Sequence, residues 1–276
     1  MTEKRNNKDV DSTTEFKKLS IQISLNGLSF CVVDVLDNTV LLSKNIIFEK
    51  ELNPFEVQKE LTALFELHKI PTFTFTEVVV IHRNNLFTLV PKALFNEDEL
   101  ANYLKFNTKI LANDLIVFDE IESHDMVNVY VPLVNINNYI YDLFGEFEYK
   151  HSSTVIIPSL LTGTNNGSEP LCYVYTSEQQ MDITIIQNKK LLLFNSYIYN
   201  TKEDFMYYLL FTLEQLHINS DTIKLRLFGN IEEDSNVYQL CHEHVKNVSI
   251  FVPESPTFHI ENEQENTIDF TVLNTL

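Results

Sequence analysis

The chain has 276 residues, enough for two domains of the common size of about 100 to 150 residues, and its 44% hydrophobic and 21% charged content is that of a globular protein rather than a disordered or membrane-embedded one. Twenty basic residues against 39 acidic ones give a formal charge of −19, which repels phosphate backbones and anionic lipid at long range, so neither nucleic acid nor membrane insertion is expected. Only 5 glycines occur, well below the usual share of about 7%, so phosphate cradles made of bare backbone are scarce from the outset.

Residues 1–18 are polar and charged without the apolar core of a secretory signal, and read as a mobile tail. From Leu19 come three strand-like runs, Leu19 to Ile23, Leu28 to Val35 and Thr39 to Phe48, separated by Asn26-Gly27 and Asp37-Asn38. Such dipeptides signal hairpins, so three antiparallel strands are expected. Asn53-Pro54 then opens a helix with Val57, Leu61, Leu64 and Phe65 on one face, ending before Pro71. Val78 to Ile81 is a wholly apolar, β-branched run, the pattern of a parallel strand covered on both faces. Beyond it, Glu97 to Phe106 and Ile136 to Phe147 read as helices, and Leu115 to Phe118 and Met126 to Val131 as strands. Ser153 to Ile157 reads as the strand that completes the first sheet.

The same order then recurs. Leu171 to Tyr175, Met181 to Ile186 and Leu191 to Tyr199 read as strands, with Gln187-Asn188-Lys189 as a turn, before a helix from Lys202 to Leu216 and a strand from Ile223 to Phe228. Phe65-Glu-Leu-His68-Lys-Ile70 is echoed by Glu214-Gln-Leu-His217-Ile218 at the close of the second helix. Two β-β-β-α-β units imply duplication of one supersecondary block. The turn-rich stretch 163–170 is the expected linker, so the domains are 19–162 and 171–276. Ile268 to Leu273 alternates like a closing strand after an acidic stretch at 254–266. Cys31, Cys172 and Cys241 are odd in number and lie in apolar surroundings. They read as reduced, buried thiols of a cytoplasmic protein, so the glycosylation patterns at Asn166 and Asn247 carry no weight.

Three meandering strands, a helix, a further strand and a repeat of the whole resemble the duplicated ribonuclease-H-like domains of the actin-like ATPase superfamily. Phe87-Thr-Leu-Val-Pro-Lys-Ala-Leu-Phe95 and Lys150-His-Ser-Ser-Thr-Val-Ile-Ile-Pro-Ser-Leu-Leu161 more specifically resemble a Bacteroidetes family with that fold. They are also similar, more distantly, to bacterial actin-like division and pilus-assembly proteins. The resemblance covers about Leu19 to Pro253 and implies an α/β protein of two ribonuclease-H-like domains with mixed sheets around an interdomain cleft.

Active members of that superfamily carry, in each leading hairpin, an acidic residue followed by glycine and a hydroxyl residue, which organise a metal ion and admit phosphate oxygens. Here Gln22 and Ser24 stand at the acidic and glycine positions of the first hairpin, and Tyr175 and Ser177 at those of the second. Asp182 remains nearby, as a solvated strand residue or a metal ligand. The adenosine-side glycine pair is reduced to Gly229-Asn230. The resemblance therefore implies a cleft lined by Ser24, Asn26, Gly27, Thr176, Ser177 and Gly229, with no catalytic residue, metal or cofactor expected.

Other clusters are weaker. Cys241-His242-Glu243-His244 places Cys241 and His244 on one helical face but lacks a second ligand pair for zinc. His82-Arg83-Asn84-Asn85 reads as a polar turn, with anion binding as the alternative. Asp34, Asp37, Asp119 and Glu120 do not form the acidic set that a two-metal nuclease needs. Tyr197, Tyr199, Tyr207 and Tyr208 could offer aromatic area to a protein partner. The expected function is a non-catalytic binding or assembly module with an unidentified protein partner. The rivals are a divergent ATPase or small-molecule kinase using Mg-ATP, and self-association as a dimer or filament.

Overall fold

A computed structural model describes residues 16–121, 124–162, 168–177, 179–252, 259–260 and 268–276. Most of the expected tail, part of the linker and all of the acidic stretch at 254–266 except 259–260 lie outside the described residues, as does Asn166. Lys17 and Lys18, placed in the tail by sequence, already belong to the first strand.

The first block comprises β1 (Lys17–Ile23), β2 (Gly27–Asp34), β3 (Thr39–Ile47), α1 (Pro54–Leu67) and β4 (Glu77–His82). Strands β1 to β3 are antiparallel and β4 returns parallel to β1, as the apolar run implied. Gly27 is needed for proximity rather than for a turn conformation, because a Cβ there would lie 2.6 Å from the Ile46 carbonyl oxygen. Helix α1 starts where Asn53 accepts from the N–H groups of Phe55 and Glu56 while Glu56 accepts from the Asn53 N–H, a reciprocal cap.

An insertion follows: β5 (Phe87–Pro91), a short helix α2 (Leu100–Leu104), β6 (Val117–Ile121) and β7 (Met126–Tyr130) form a separate three-stranded sheet in the order β5-β7-β6. Helix α3 (Val134–Phe144) then returns the chain to β8 (Glu148–His151), which pairs parallel with β4. The strand expected at Ser153 to Ile157 is instead part of helix α4 (Ser152–Thr162). Its apolar run is buried all round, which erases the periodicity that separates helix from strand.

The second block comprises β9 (Leu171–Thr176), β10 (Gln180–Gln187), β11 (Lys190–Ile198), α5 (Lys202–Gln215), β12 (Lys224–Gly229), α6 (Asn236–His244) and β13 (Asn247–Ile250). Its sheet order, β11-β10-β9-β12-β13, repeats β3-β2-β1-β4-β8 of the first sheet. A short strand β14 (His259–Ile260) extends the first sheet beside β3. The duplication reaches fine detail: α1 and α5 each span 14 residues, each begins in a reciprocal cap, and the second strand pair of each block, β2–β3 and β10–β11, carries one irregularity, at Val32/Val33 and Ile185/Ile186. The sequence echo is out of register by one. Lys69 and His217, at φ 55° and 54°, are the equivalent left-handed residues that end the two helices, so His68 corresponds to Leu216.

The outer face of the first sheet packs on α1 and α3 through Ile21, Phe30, Leu61, Phe65 and Ile136, and that of the second on α5 and α6 through Ile183, Phe205, Leu209 and Cys241. Between the sheets lies a shared layer. Val155 of α4 meets Cys31, Val33, Val79 and Ile81 of the first sheet, while Ile156, Ile157, Leu160 and Leu161 meet Tyr173, Phe194 and Phe228 of the second. The C-terminal segment joins this layer as a single-turn helix α7 (Phe270–Leu273), not as a strand of the second sheet. Asp269 accepts from the Thr271 and Val272 N–H groups, so a local cap overrides the alternation. Val272 is fully buried against the first sheet and Phe270 against the second.

Helix α7 therefore holds the two blocks together. Val272→Ala should lower unfolding stability by about 2 kcal/mol, the scale for removing buried methyl groups from a packed site. Urea denaturation measures it, and a loss below about 0.5 kcal/mol would mean that this side chain is not packed as described.

Candidate functional site

The two leading hairpins face each other across an interdomain cavity of about 530 Å³. Ser24, Asn26, Gly27, Thr176, Ser177 and Gly229 all line it, joined by Gln22, Arg83, Tyr175, Gln179, Asn230 and the C-terminal Asp269 and Asn274. The hairpins close in the same way. Ser24 N–H and Oγ both donate to the Gly27 carbonyl, at 2.9 and 3.0 Å, and Ser177 N–H and Oγ both donate to the Gln180 carbonyl, at 2.8 and 3.1 Å. Thr176 Oγ1 donates to the Phe228 carbonyl at 3.0 Å. All three hydroxyl protons are thus committed to the protein's own backbone.

Arg83 follows β4, at the place where Asn230 follows β12: the Arg83 N–H donates to the Ile23 carbonyl and the Asn230 N–H to the Thr176 carbonyl. The guanidinium crosses from the first block to the second. Nε donates to Asp182 Oδ2 at 3.0 Å, and Nη2 lies 2.9 Å from the same oxygen without an aligned hydrogen bond to it. Arg83 and Asp182 are 4% and 2% exposed, so little water screens them. Asp182 Oδ1 accepts from Ser196 Oγ at 2.6 Å and Gln180 Nε2 at 3.3 Å. The Arg83 guanidinium carbon lies 4.3 Å from the centre of the Tyr175 ring. Burial disfavours its charge, but Asp182, Tyr175 and Asp269 outweigh burial and raise its pKa above the ordinary value.

A second bridge runs through the C-terminus. Asp269 accepts from Gln22 Nε2 at 3.1 Å and from the Tyr175 hydroxyl, so one carboxylate links β1 to β9. The Thr271 hydroxyl lies 2.5 Å from Gln22 Oε1, and the Ser20 and Thr275 hydroxyls are 2.6 Å apart. Burial, then Asp269, push the Tyr175 phenol well above its usual pKa. Gly229, at φ 93°, is tightly packed: a Cβ would lie 2.3 Å from the Thr176 carbonyl oxygen and 2.7 Å from the Tyr175 ring. The space its missing side chain leaves is taken by that tyrosine, which stacks on Phe228 at 5.0 Å.

Sequence reasoning placed Asp182 as a solvated residue or metal ligand, whereas it is buried and ion-paired. His82-Arg83-Asn84 is a buried junction rather than an open turn. His82 Nδ1 accepts from the Leu133 N–H at 3.3 Å, so Nε2 donates to Asn137 Oδ1 at 2.8 Å, and Asn84 Nδ2 donates to the Val131 carbonyl at 2.9 Å. Asp269 carries no local signal, because its partners Gln22 and Tyr175 are 247 and 94 positions away. The polar Ser20 and Gln22 on an otherwise apolar strand were the available signal. Cys241 is buried and its thiol pushed up to about 12 by burial, while His242 and His244 are exposed. Among the described residues no group of three His, Cys, Asp or Glu side chains could hold a metal ion. Asp34 closes its own turn by accepting from the Leu36 N–H at 2.9 Å, and Asp119 accepts from the His151 N–H and Thr154 Oγ1 at 2.8 and 2.7 Å. Of the four tyrosines, Tyr207 is 60% exposed and Tyr199 is buried. Among the described residues no helix is long and apolar enough to cross a membrane.

The ion pair and the buried histidines can each be tested. Arg83→Met alone should cost about 3 to 5 kcal/mol by stranding a buried carboxylate, and adding Asp182→Leu should recover most of that loss. Equal destabilisation in the single and double variants by urea unfolding would contradict the coupling. His82 and His151 are held neutral by burial, with pKa values lowered from 6.5 to about 4 and about 3. The unfolded chain therefore binds more protons below about pH 6.5, so stability is full above that pH and falls on acidification towards pH 4. The slope is about 1.4 kcal/mol per pH unit for each histidine. The slope between pH 6 and 5 should be shallower in His82→Asn, and an unchanged slope would contradict the assignment.

The described fold is that of the actin-like ATPases. A Bacteroides thetaiotaomicron protein with actin-like ATPase fold and unknown function matches over 88% of this chain and 93% of its own, with 20% identity and a TM-score of 0.76. A chain of the PilM–PilN type IV pilus biogenesis complex matches over 95% of this chain and 98% of its own, with 10% identity and a TM-score of 0.62. Both likenesses confirm the mixed α/β architecture that the sequence implied. The family model described as "Protein of unknown function (DUF3822)" matches residues 5–248. No curated protein matches the chain.

Proposed function

The chain belongs to the DUF3822 family, and we propose that it acts as a non-catalytic binding or assembly module whose interdomain cleft has ceased to be a nucleotide site. The observation that carries this reading is the use of the cleft's charged groups. The cation that could meet a phosphate, Arg83, is tied to Asp182, and the carboxylate that could meet a metal ion is tied to Arg83. Gln22 and Tyr175, at the positions where active relatives place acidic residues, bind Asp269 instead. Their neutral side chains offer a divalent ion no counter-charge. The close approach at Gly229 is filled by the Tyr175 ring rather than left open to a ligand. These residues do not fit Mg-ATP.

An assembly role accords with the second structural relative, which is part of a type IV pilus biogenesis complex. By analogy of fold alone, this chain would act by holding a protein partner. Buried Cys31 and Cys241, whose thiols burial pushes up to about 12, suit a protein that keeps its cysteines reduced, as in the cytoplasm. Exposed Tyr207 and Phe211, stacked at 5.8 Å on α5, offer aromatic surface to a partner or a second copy.

Calorimetric titration with Mg-ATP and a coupled phosphate-release assay test the reading. It expects no saturable heat at millimolar nucleotide and no phosphate above the buffer rate. Saturable binding with turnover that is lost in Asp182→Asn would establish the divergent enzyme instead.

A further inference from the structure

We propose that the interdomain cleft receives an uncharged, apolar peptide stretch of a partner protein. This rests on the binding-module reading and gives it a site and a class of ligand. The lining is unusual in composition. It contains six side-chain carboxamides, and among the described residues Arg83 and Asp269 are its only acidic or basic side chains. Gln22 and Asn274 bond within the protein. The side-chain amides of exposed Asn45 and Asn230 and of half-buried Gln179 make no hydrogen bond to the protein among the described residues. Asn26 Oδ1 is buried without a partner, and Arg83 Nη2, on a side chain 96% removed from solvent, makes no aligned hydrogen bond although Asp182 Oδ2 lies 2.9 Å away. Buried polar atoms without partners are uncommon, because each forfeits its hydration.

A carboxamide presents a donor and an acceptor side by side, matching the N–H and C=O of a peptide group. Arg83 Nη2, which makes no aligned hydrogen bond, would donate to a carbonyl oxygen. It would not favour a phosphate or carboxylate, because Asp182 and Asp269 flank it and the three together carry one net negative charge. The rest of the wall is apolar, with Phe48, Phe228, Phe251 and Phe270 inside. Its most exposed apolar members, Ile47 and Val252, mark the opening. At about 530 Å³ the cavity lies in the size range of pockets that enclose small ligands, of about 300 to 1,000 Å³. Apolar walls with convergent neutral amides suit a short uncharged peptide and leave a polyanion without counter-charge.

The test uses the full chain and an equimolar pool of N-acetylated, C-amidated tripeptides built from Ala, Leu, Phe and Val, read by saturation-transfer NMR. Transfer to a subset of the pool is expected. The double variant Asn26→Leu/Asn230→Leu, with an unfolding midpoint like that of the parent, should bind those peptides about tenfold more weakly, the loss expected for two hydrogen bonds. The same pool with free C-terminal carboxylates should bind more weakly than the amidated pool. Absence of transfer, equal transfer in the double variant, or preference for the carboxylates would each overturn the proposal. If Mg-ATP displaces the peptides, the binding-module reading falls as well. If neither peptide nor nucleotide binds, only the peptide assignment falls.

Discussion

The structure depends on one buried ion pair between its two halves. Arg83 emerges at the end of the first block's parallel strand and Asp182 sits on the second block's second strand, and each would be an uncompensated charge in low dielectric without the other. The Tyr175 ring against the guanidinium and the Ser196 and Gln180 donors on the carboxylate satisfy most of what remains. A pair this dry and this far apart in sequence resists separation, because opening the cleft would strand two charges before water reached them. It therefore fixes the relative placement of the blocks as well as their stability.

The duplicated blocks explain where this clamp came from and where symmetry breaks. Their hairpins, helices, caps and sheet orders match, so the cleft begins as a meeting of two equivalent corners. The corners are then filled differently. Arg83 occupies one strand exit and Gly229-Asn230 the other, which lets the long side chain of one block reach into the second. The C-terminal turn adds a second bridge: Asp269 joins Gln22 to Tyr175 and seats α7 between the sheets. Two charged groups and one helical turn thus convert a hinge-like junction into a braced one while leaving a lined cavity beside it.

Elements with local signals were legible in the sequence. Asn53-Pro54 announces α1 because capping is decided within four residues, and Val78 to Ile81 announces β4 because a run of that length and branching suits a doubly covered strand. Helices α4 and α7 were read as strands. Each is enclosed between two sheets, so neither shows the one-sided apolar stripe that identifies a helix. The resemblance implied the cleft residues Ser24, Asn26, Gly27, Thr176, Ser177 and Gly229 at their hairpin and strand-end positions. The bonds that define the site could not. Arg83 and Asp182 are ordinary polar residues in sequence, and only the fold brings them within 3 Å.

Under the proposed function the protein's own side chains hold the cleft in one state, and nucleotide has no hold on it. The most direct measurement is the distance between the two blocks in solution, by pulsed electron paramagnetic resonance with spin labels at Glu51→Cys and Glu203→Cys, two exposed sites on opposite blocks. A single narrow distance distribution that Mg-ATP leaves unchanged is the predicted result. A second distance that appears or grows with Mg-ATP would contradict it.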